Sequence, residues 1–299
     1  ASTLAVLNGL VSGTTGNDIL MGTYAANTMT GLAGNDTYYV NHASDVVTEA
    51  VNAGTDTVYS YLNSHTLGAN VDNGRIMSTS TASIAGNALN NIIYAGSGIN
   101  AIDGSSGIDT VSYAYATSTT STGVTLNLSV FDATTLQSTA SGISGADLIK
   151  NIENITGSNY ADKLTGNSAA NVLTGGLGID TLTGGTGNDT YVVALTAAGA
   201  LEDSISESST LVTEIDTLKL TGASTNTTAV TLSLTSTLAN VENIDLSATG
   251  TSKLNLTGNA ANNVFKGFGG NDRFVLATGN DGVDGGTGID TVVLSGARA

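Results

Sequence analysis

The chain has no cysteine, no proline and no tryptophan, and only 8 basic residues among 299. Without cysteine there are no disulfides and no thiolate chemistry, so any stapling of the fold comes from elsewhere. Without proline every residue keeps a backbone N–H, which suits a chain whose amides are used in sheet ladders. Against the few Lys and Arg stand 25 Asp and Glu, for a formal net charge of -17. That imbalance excludes nucleic acid as a partner, because phosphates need basic side chains, and it suits metal cations. No apolar run reaches the roughly 18 residues of a membrane span. The opening segment ASTLAVLNGL has no basic stretch before its apolar part, and does not read as an intact secretory signal peptide. With 40% hydrophobic residues the composition is not that of a disordered chain.

Catalytic signatures are missing too. There is no H-E-x-x-H, no G-x-S-x-G and no P-loop. His42 and His65 are the only histidines and read as ordinary surface or packing residues. The pair Glu202 and Asp203 has the composition of a glycosidase dyad, but the run EDSISES (202–208) reads more simply as a solvated loop or coil face. Tyr38, Tyr39, Tyr59 and Tyr61 read as cross-strand aromatic pairing, with a carbohydrate-stacking stripe as the alternative.

What the chain does have is glycine, 38 residues of it, placed on a ruler. Residues 157–192 are four nonapeptides in tandem, GSNYADKLT, GNSAANVLT, GGLGIDTLT and GGTGNDTYV. Positions 1 and 4 favour Gly, position 6 is Asp or Asn, and position 8 is large and apolar. Further nonapeptides fill the blocks 13–39, 77–112 and 249–293, and the organising block extends back over 148–192. Between them lie the longer segments 40–76, 113–147 and 193–248, with period-two runs such as GVTLNLSV (123–130), AVTLSL (229–234), DTVYSYL (56–62) and DTLKL (216–220). These read as half-buried strands. Each longer segment closes on a similar tetrapeptide, NVDN at 70, NIEN at 151 or NVEN at 240. A fixed nine-residue period means a solenoid with two units per coil. The expectation is one continuous all-β solenoid over 1–299, with at most a short helix in the Ala-rich stretch 194–203.

Physical chemistry then assigns roles within the unit. Positions 1–6 must turn sharply, which Gly permits. Positions 7–9 form a short strand with position 8 facing the core. Position-6 side chains stack every 18 residues, at the spacing of neighbouring strands, where carboxylates repel unless a cation lies between them. The stacked pairs are Asp18 with Asp36, Asn91 with Asp109, Asp162 with Asp180, Asn171 with Asp189, Asn263 with Asp281 and Asp272 with Asp290. Each is a candidate Ca²⁺ site, completed by carbonyls of the glycine turns at Gly34, Gly107, Gly176, Gly178, Gly185, Gly187, Gly270, Gly286 and Gly288. Asp56 resembles position 6 but has no partner at that spacing. An Asn ladder can also be held by amide hydrogen bonds without metal.

The last two units of 157–192 fit G-G-x-G-x-D-x-U-x, where U is large and apolar, at every specified place. The sequence therefore resembles the RTX, or haemolysin-type, calcium-binding repeat proteins. The resemblance implies a parallel β-roll with glycine-rich calcium turns and several bound Ca²⁺. It also implies unfolded export by type I secretion from a Gram-negative bacterium, and folding in external calcium. A thin roll buries little against the ordering of its glycines, so calcium binding is expected to be coupled to folding. Two functions follow. The first is a secreted, non-enzymatic structural protein that self-associates into a filament or surface lattice, with cell-surface polysaccharide as a further partner. The second is the repeat portion of a larger secreted enzyme or toxin, and the ending VVLSGARA, in mid-pattern, agrees with a segment of something longer.

Overall fold

The structure, a computed structural model, describes residues 9–117, 121–129, 137–140 (backbone), 146–196, 200–207, 213–222, 229–234, 238–250 and 253–295. It divides into two compact units, Ala1–Ser158 and Asn159–Ala299. Both are all-β. Among the described residues there is no α-helix, and none is long and apolar enough to cross a membrane.

The repeat dictates the winding. A three- to five-residue strand cannot hold itself together, so each must pair with the next coil. Successive strands alternate between opposite sides of the coil, and every second strand stacks in parallel register. In the first unit one side carries Ile19–Met21, Thr37–Val40, Thr57–Ser60, Asn73–Ile76, Ile92–Tyr94, Thr110–Ser112 and Asn154–Thr156 in that order. The other side carries Leu10–Ser12, Thr28–Thr30 and Val46–Thr48, and further along Ser64–Thr66, Ala82–Ala85, Asn100–Asp103 and Leu148–Lys150. The second unit repeats this. Val172–Thr174, Thr190–Ala194, Thr217–Thr221, Asn243–Ala248, Val264–Lys266 and Gly282–Asp284 lie along one side, with Lys163–Thr165, Thr181–Thr183 and Ser204–Ser206, then Val230–Ser233, Leu254–Thr257, Arg273–Leu276 and Thr291–Leu294, on the other.

The core is the column of position-8 side chains. Leu20, Met29, Tyr38, Ile84, Ile93, Ile102 and Val111 in the first unit are at most 1% exposed, as are Leu164, Leu173, Leu182, Tyr191, Phe265 and Phe274 in the second. Apart from the buried Ser112, the flanking residues at positions 7 and 9 stay partly exposed, which is the alternation expected of a strand with one wet face. The last described coil is less covered: Val283 is half-buried and Val292 is 49% exposed.

The longer segments are coils of the same winding, lengthened or shortened. Coils stack 18 residues apart inside the glycine blocks, but 20 and 16 apart around Asp56. Elsewhere the step grows to 27, 26 and 47 residues. Parallel pairing is kept across the steps of 20, 16 and 27, and across the step of 26 it carries one register shift between Lys219 and Thr221. Val124, Leu126 and Leu128 face the core as the alternation predicts, and Val130 lies outside the described residues.

The expected parallel roll holds with one local exception, and two other expectations are corrected. Gln137–Ala140 runs antiparallel to both Thr125–Asn127 and Leu148–Lys150, so the roll is not parallel throughout. The Ala-rich stretch 194–203 forms no helix over its described residues. Leu195 and Leu201 bridge as an antiparallel pair, and Glu202 N–H donates to the Ala194 carbonyl. The acidic run 202–208 is not a solvated loop. It contains the strand Ser204–Ser206, with Asp203 and Glu207 buried, because its alternate residues belong to the interior of a coil.

The tyrosines divide as period two requires. Tyr38 is buried in the core, whereas Tyr39 aligns with Tyr59 on the outer face, the rings 5.1 Å apart edge to face, and stacks on Tyr61 at 6.4 Å. Phe265 and Phe274 pack at 5.8 Å in the interior. Phe274→Ala should cost about 3–5 kcal/mol in urea unfolding measured in calcium, whereas Ile289→Ala, at a 78% exposed site, should stay within about 0.5 kcal/mol.

Candidate metal centres

Each turn is built on one local contact. The position-1 glycine lies directly against the side chain five residues later. A methyl on Gly175 would collide with Asp180, on Gly184 with Asp189, on Gly104 with Asp109 and on Gly31 with Asp36. Glycine is thus needed at position 1 for space. At position 4 it is needed for backbone shape as well. Gly178 and Gly187 have φ of 118° and 113°, and a Cβ on Gly187 would lie 2.6 Å from the Ala169 carbonyl oxygen of the preceding coil. All nine glycines singled out from the sequence, from Gly34 to Gly288, have positive φ.

The turn aims the position-6 side chain along the stack. In each of the six predicted pairs, the backbone N–H of the first residue donates to Oδ1 of the second. The distances are 2.7 Å for Asp18 to Asp36, Asn91 to Asp109 and Asp162 to Asp180. They are 2.8 Å for Asn171 to Asp189, and 2.9 Å for Asn263 to Asp281 and Asp272 to Asp290. Asp56, unpaired on the nine-residue ruler, is part of the same column. Asp36 N–H donates to it at 2.8 Å, and its own N–H donates to Asp72 Oδ2 at 2.8 Å.

Asp18 uses its second oxygen, which accepts from the Thr14 N–H and hydroxyl, but in seven carboxylates of the columns one oxygen is satisfied and the other is not. The second oxygens of Asp36, Asp56, Asp109, Asp180, Asp189, Asp203 and Asp272 are buried without a hydrogen-bond partner. Burying a carboxylate oxygen with nothing against it is costly, and like charges in a column raise that cost. Burial, with neighbouring carboxylates adding to it, pushes Asp109, Asp189 and Asp272 up to about 6 and Asp180 and Asp216 up to about 7. Such oxygens over glycine-floored hollows are a donor set for a hard cation. Ca²⁺ takes six to eight oxygens, mixing carboxylates with carbonyls, and the residues present fit it.

Asparagine at position 6 behaves differently. Asn91 accepts from Asn87 N–H at 2.8 Å, and its amide donates to the carbonyls of Val71 and Asp72 at 3.0 and 2.9 Å. Asn263 does the same with Asn259 and Glu242. These amides satisfy the preceding coil's carbonyls directly.

The structure also adds residues that the ruler did not reach. Asp45, Asp72, Asp147, Asp203 and Asp216 accept the backbone N–H of Asn27, Asp56, Asn100, Asp180 and Asp189. Glu153 and Glu242 accept from Asp109 and Asp216. The signal for these was present. Asp45, Asp147 and Asp203 each precede by two residues a core side chain, Val47, Ile149 or Ile205, which is the spacing of positions 6 and 8. Asp72, Glu153 and Glu242 are the third residues of the N-[VI]-[DE]-N tetrapeptides, whose role is to continue the column where the glycine turns stop.

Stacked coils with glycine corners and an inward carboxylate column define a calcium-binding β-roll. Comparison with known families agrees. The RTX calcium-binding nonapeptide repeat matches in four copies, at residues 12–46, 83–112, 152–191 and 255–283. The chain carries RTX calcium-binding repeats in these four stretches. No curated protein matches it.

The raised carboxylates fix a pH dependence. Their folded values lie above the unfolded reference near 4, so between about pH 4 and 7 the native chain holds more protons than the unfolded one. Stability without metal therefore falls as pH rises through that window. In excess chelator, far-UV circular dichroism should show more strand at pH 5 than at pH 8. Calcium should remove the difference by taking the protons' place. Identical chelated spectra at the two pH values would contradict this.

Proposed function

We propose that this is a secreted, non-enzymatic structural protein that folds when calcium fills its turns and then assembles with copies of itself at a bacterial cell surface or in the matrix around it. The observation that carries the reading is the set of seven buried carboxylate oxygens without partners. A chain with that many uncompensated interior charges folds poorly without cations, and it can be exported unfolded from a cytoplasm poor in calcium. Type I secretion from a Gram-negative cell is the route that the RTX repeats suggest.

Assembly is supported by the architecture itself: a stack of parallel coils presents strand edges on which another coil can pair, and head-to-tail stacking runs on without closing. On the outer face, Tyr39, Tyr59, Arg75 and Tyr94 stand in register across four coils, and Arg75 lies 3.9 Å over the Tyr115 ring. Such an aromatic row suits the flat face of a sugar, and makes surface polysaccharide a fitting second partner.

Electron microscopy and light scattering with and without calcium test both parts. The expected result is an expanded monomer in chelator, and strand-rich particles that grow in length in millimolar calcium. A chain fully folded in chelator removes the first part. A folded chain that stays monomeric at all calcium concentrations removes the second.

A further inference from the structure

Two glutamates stand where the repeat has glycine. Register aligns Thr30 with Thr48 and Thr183 with Ser206, so Glu49 lies beside Gly31 and Glu207 beside Gly184, each at the first position of a turn. Both side chains point inward, and Glu49 and Glu207 are 6% and 9% exposed. Each meets the hydroxyl of a buried position-8 tyrosine. Tyr38 donates to Glu49, and Tyr191 donates to Glu207 at 2.5 Å while accepting the Gly184 N–H at 2.9 Å.

Each glutamate also completes a carboxylate triad. Oxygens of Asp36, Glu49 and Asp56 lie within 4.8 Å of one another, as do those of Asp189, Glu207 and Asp216. The aspartates are 1–2% exposed, and the second oxygens of Asp36, Asp56 and Asp189 have no partner. Glycine keeps the floor open: a methyl on Gly31 would strike Asp36, Tyr38 and Glu49, and one on Gly184 would strike Asp189 and Tyr191. The same five parts, a floor glycine, two stacked aspartates, a glutamate and a tyrosine hydroxyl, thus occur once in each unit.

We infer that these two triads are cation sites of a second kind, which bind Ca²⁺ ahead of the glycine turns and seed the folding of the unit around them. The inference rests on the calcium reading above and goes beyond it. A glycine turn offers at most two carboxylates from stacked position-6 residues, and where one is Asn it offers one. Three carboxylates held together in a site closed to water repel strongly when empty and hold a divalent ion correspondingly tightly, since ligand charge sets calcium affinity. The tyrosine contributes by fixing the glutamate's orientation, as outer hydrogen bonds do for metal ligands. Both triads also span an uneven step, 20 residues from Asp36 to Asp56 and 27 from Asp189 to Asp216. There the nine-residue pattern gives no register of its own, and a tightly held ion would supply it.

The test is calcium titration of the full chain against a chelating indicator, with the variants Glu49→Gln and Glu207→Gln. Wild type should show two ions in a tighter class. Each variant should lose one of them, with affinity at that site falling about 10- to 100-fold, while the weaker class and the spectrum in excess calcium stay unchanged. Tb³⁺ gives a readout that does not depend on those variants folding. The first two equivalents should show tyrosine-sensitised emission in wild type, and Tyr38→Phe with Tyr191→Phe should abolish it while keeping both rings in the core. A single uniform class of ions, or glutamine variants that bind as many ions as tightly as wild type, would overturn the inference. Either result would leave calcium-dependent folding intact. A chain that binds no calcium would overturn both.

Discussion

The structure depends on a carboxylate that faces two ways. At Asp36, Asp56, Asp109, Asp180 and Asp189 one oxygen takes the backbone N–H of the coil before it, and the other is left buried without a partner. The first contact sets the spacing of the coils. The second creates a charge that the protein alone does not neutralise. Alternate strands, glycine corners and the apolar column all serve to repeat that arrangement, and the energetic consequence is that a cation placed against that oxygen lowers the cost of burying it.

This explains the division of labour between Asp and Asn. Asn91 and Asn263 keep the stacking hydrogen bonds and supply their own donors to the neighbouring carbonyls, so those turns are closed by protein atoms, whereas the Asn100 amide nitrogen is buried without a partner. Aspartate keeps the geometry and leaves an opening for a cation. Mixed columns such as Asn91, Asp109 and Glu153 therefore set how many charges a stretch of roll must have compensated. Glu49 and Glu207 raise that number locally, in the same structural place in the two units. A site that is hardest to leave empty is also the one to which an ion brings most order.

The nonapeptide blocks were legible because their period is fixed. Position 8 identified the core side chains from Leu20 to Phe274, and position 6 identified the stacked pairs from Asp18 with Asp36 to Asp272 with Asp290. The longer segments were less legible for a physical reason. Once a coil is lengthened or shortened, the step to its neighbour is 16, 20, 27 or 47 residues, and counting along the chain no longer finds the partner. Asp56 was seen without its neighbours Asp36 and Asp72 for that reason alone. Glu207 was read as part of a wet loop because its run is acidic. Polarity is a poor guide inside a roll whose interior corners are lined with oxygen.

Composition and period by themselves determined the secondary structure, the winding in half-coils, the inward face of each strand and the chemistry of the ion. These are local or periodic properties, fixed by steric limits at glycine and by the alternation of a strand. Only the tertiary structure decided which carboxylates meet across uneven coils, where one strand turns antiparallel, and that two glutamates enter the interior against tyrosine. Those contacts join residues whose separation in the chain varies from coil to coil, so three-dimensional register, and not sequence distance, selects them.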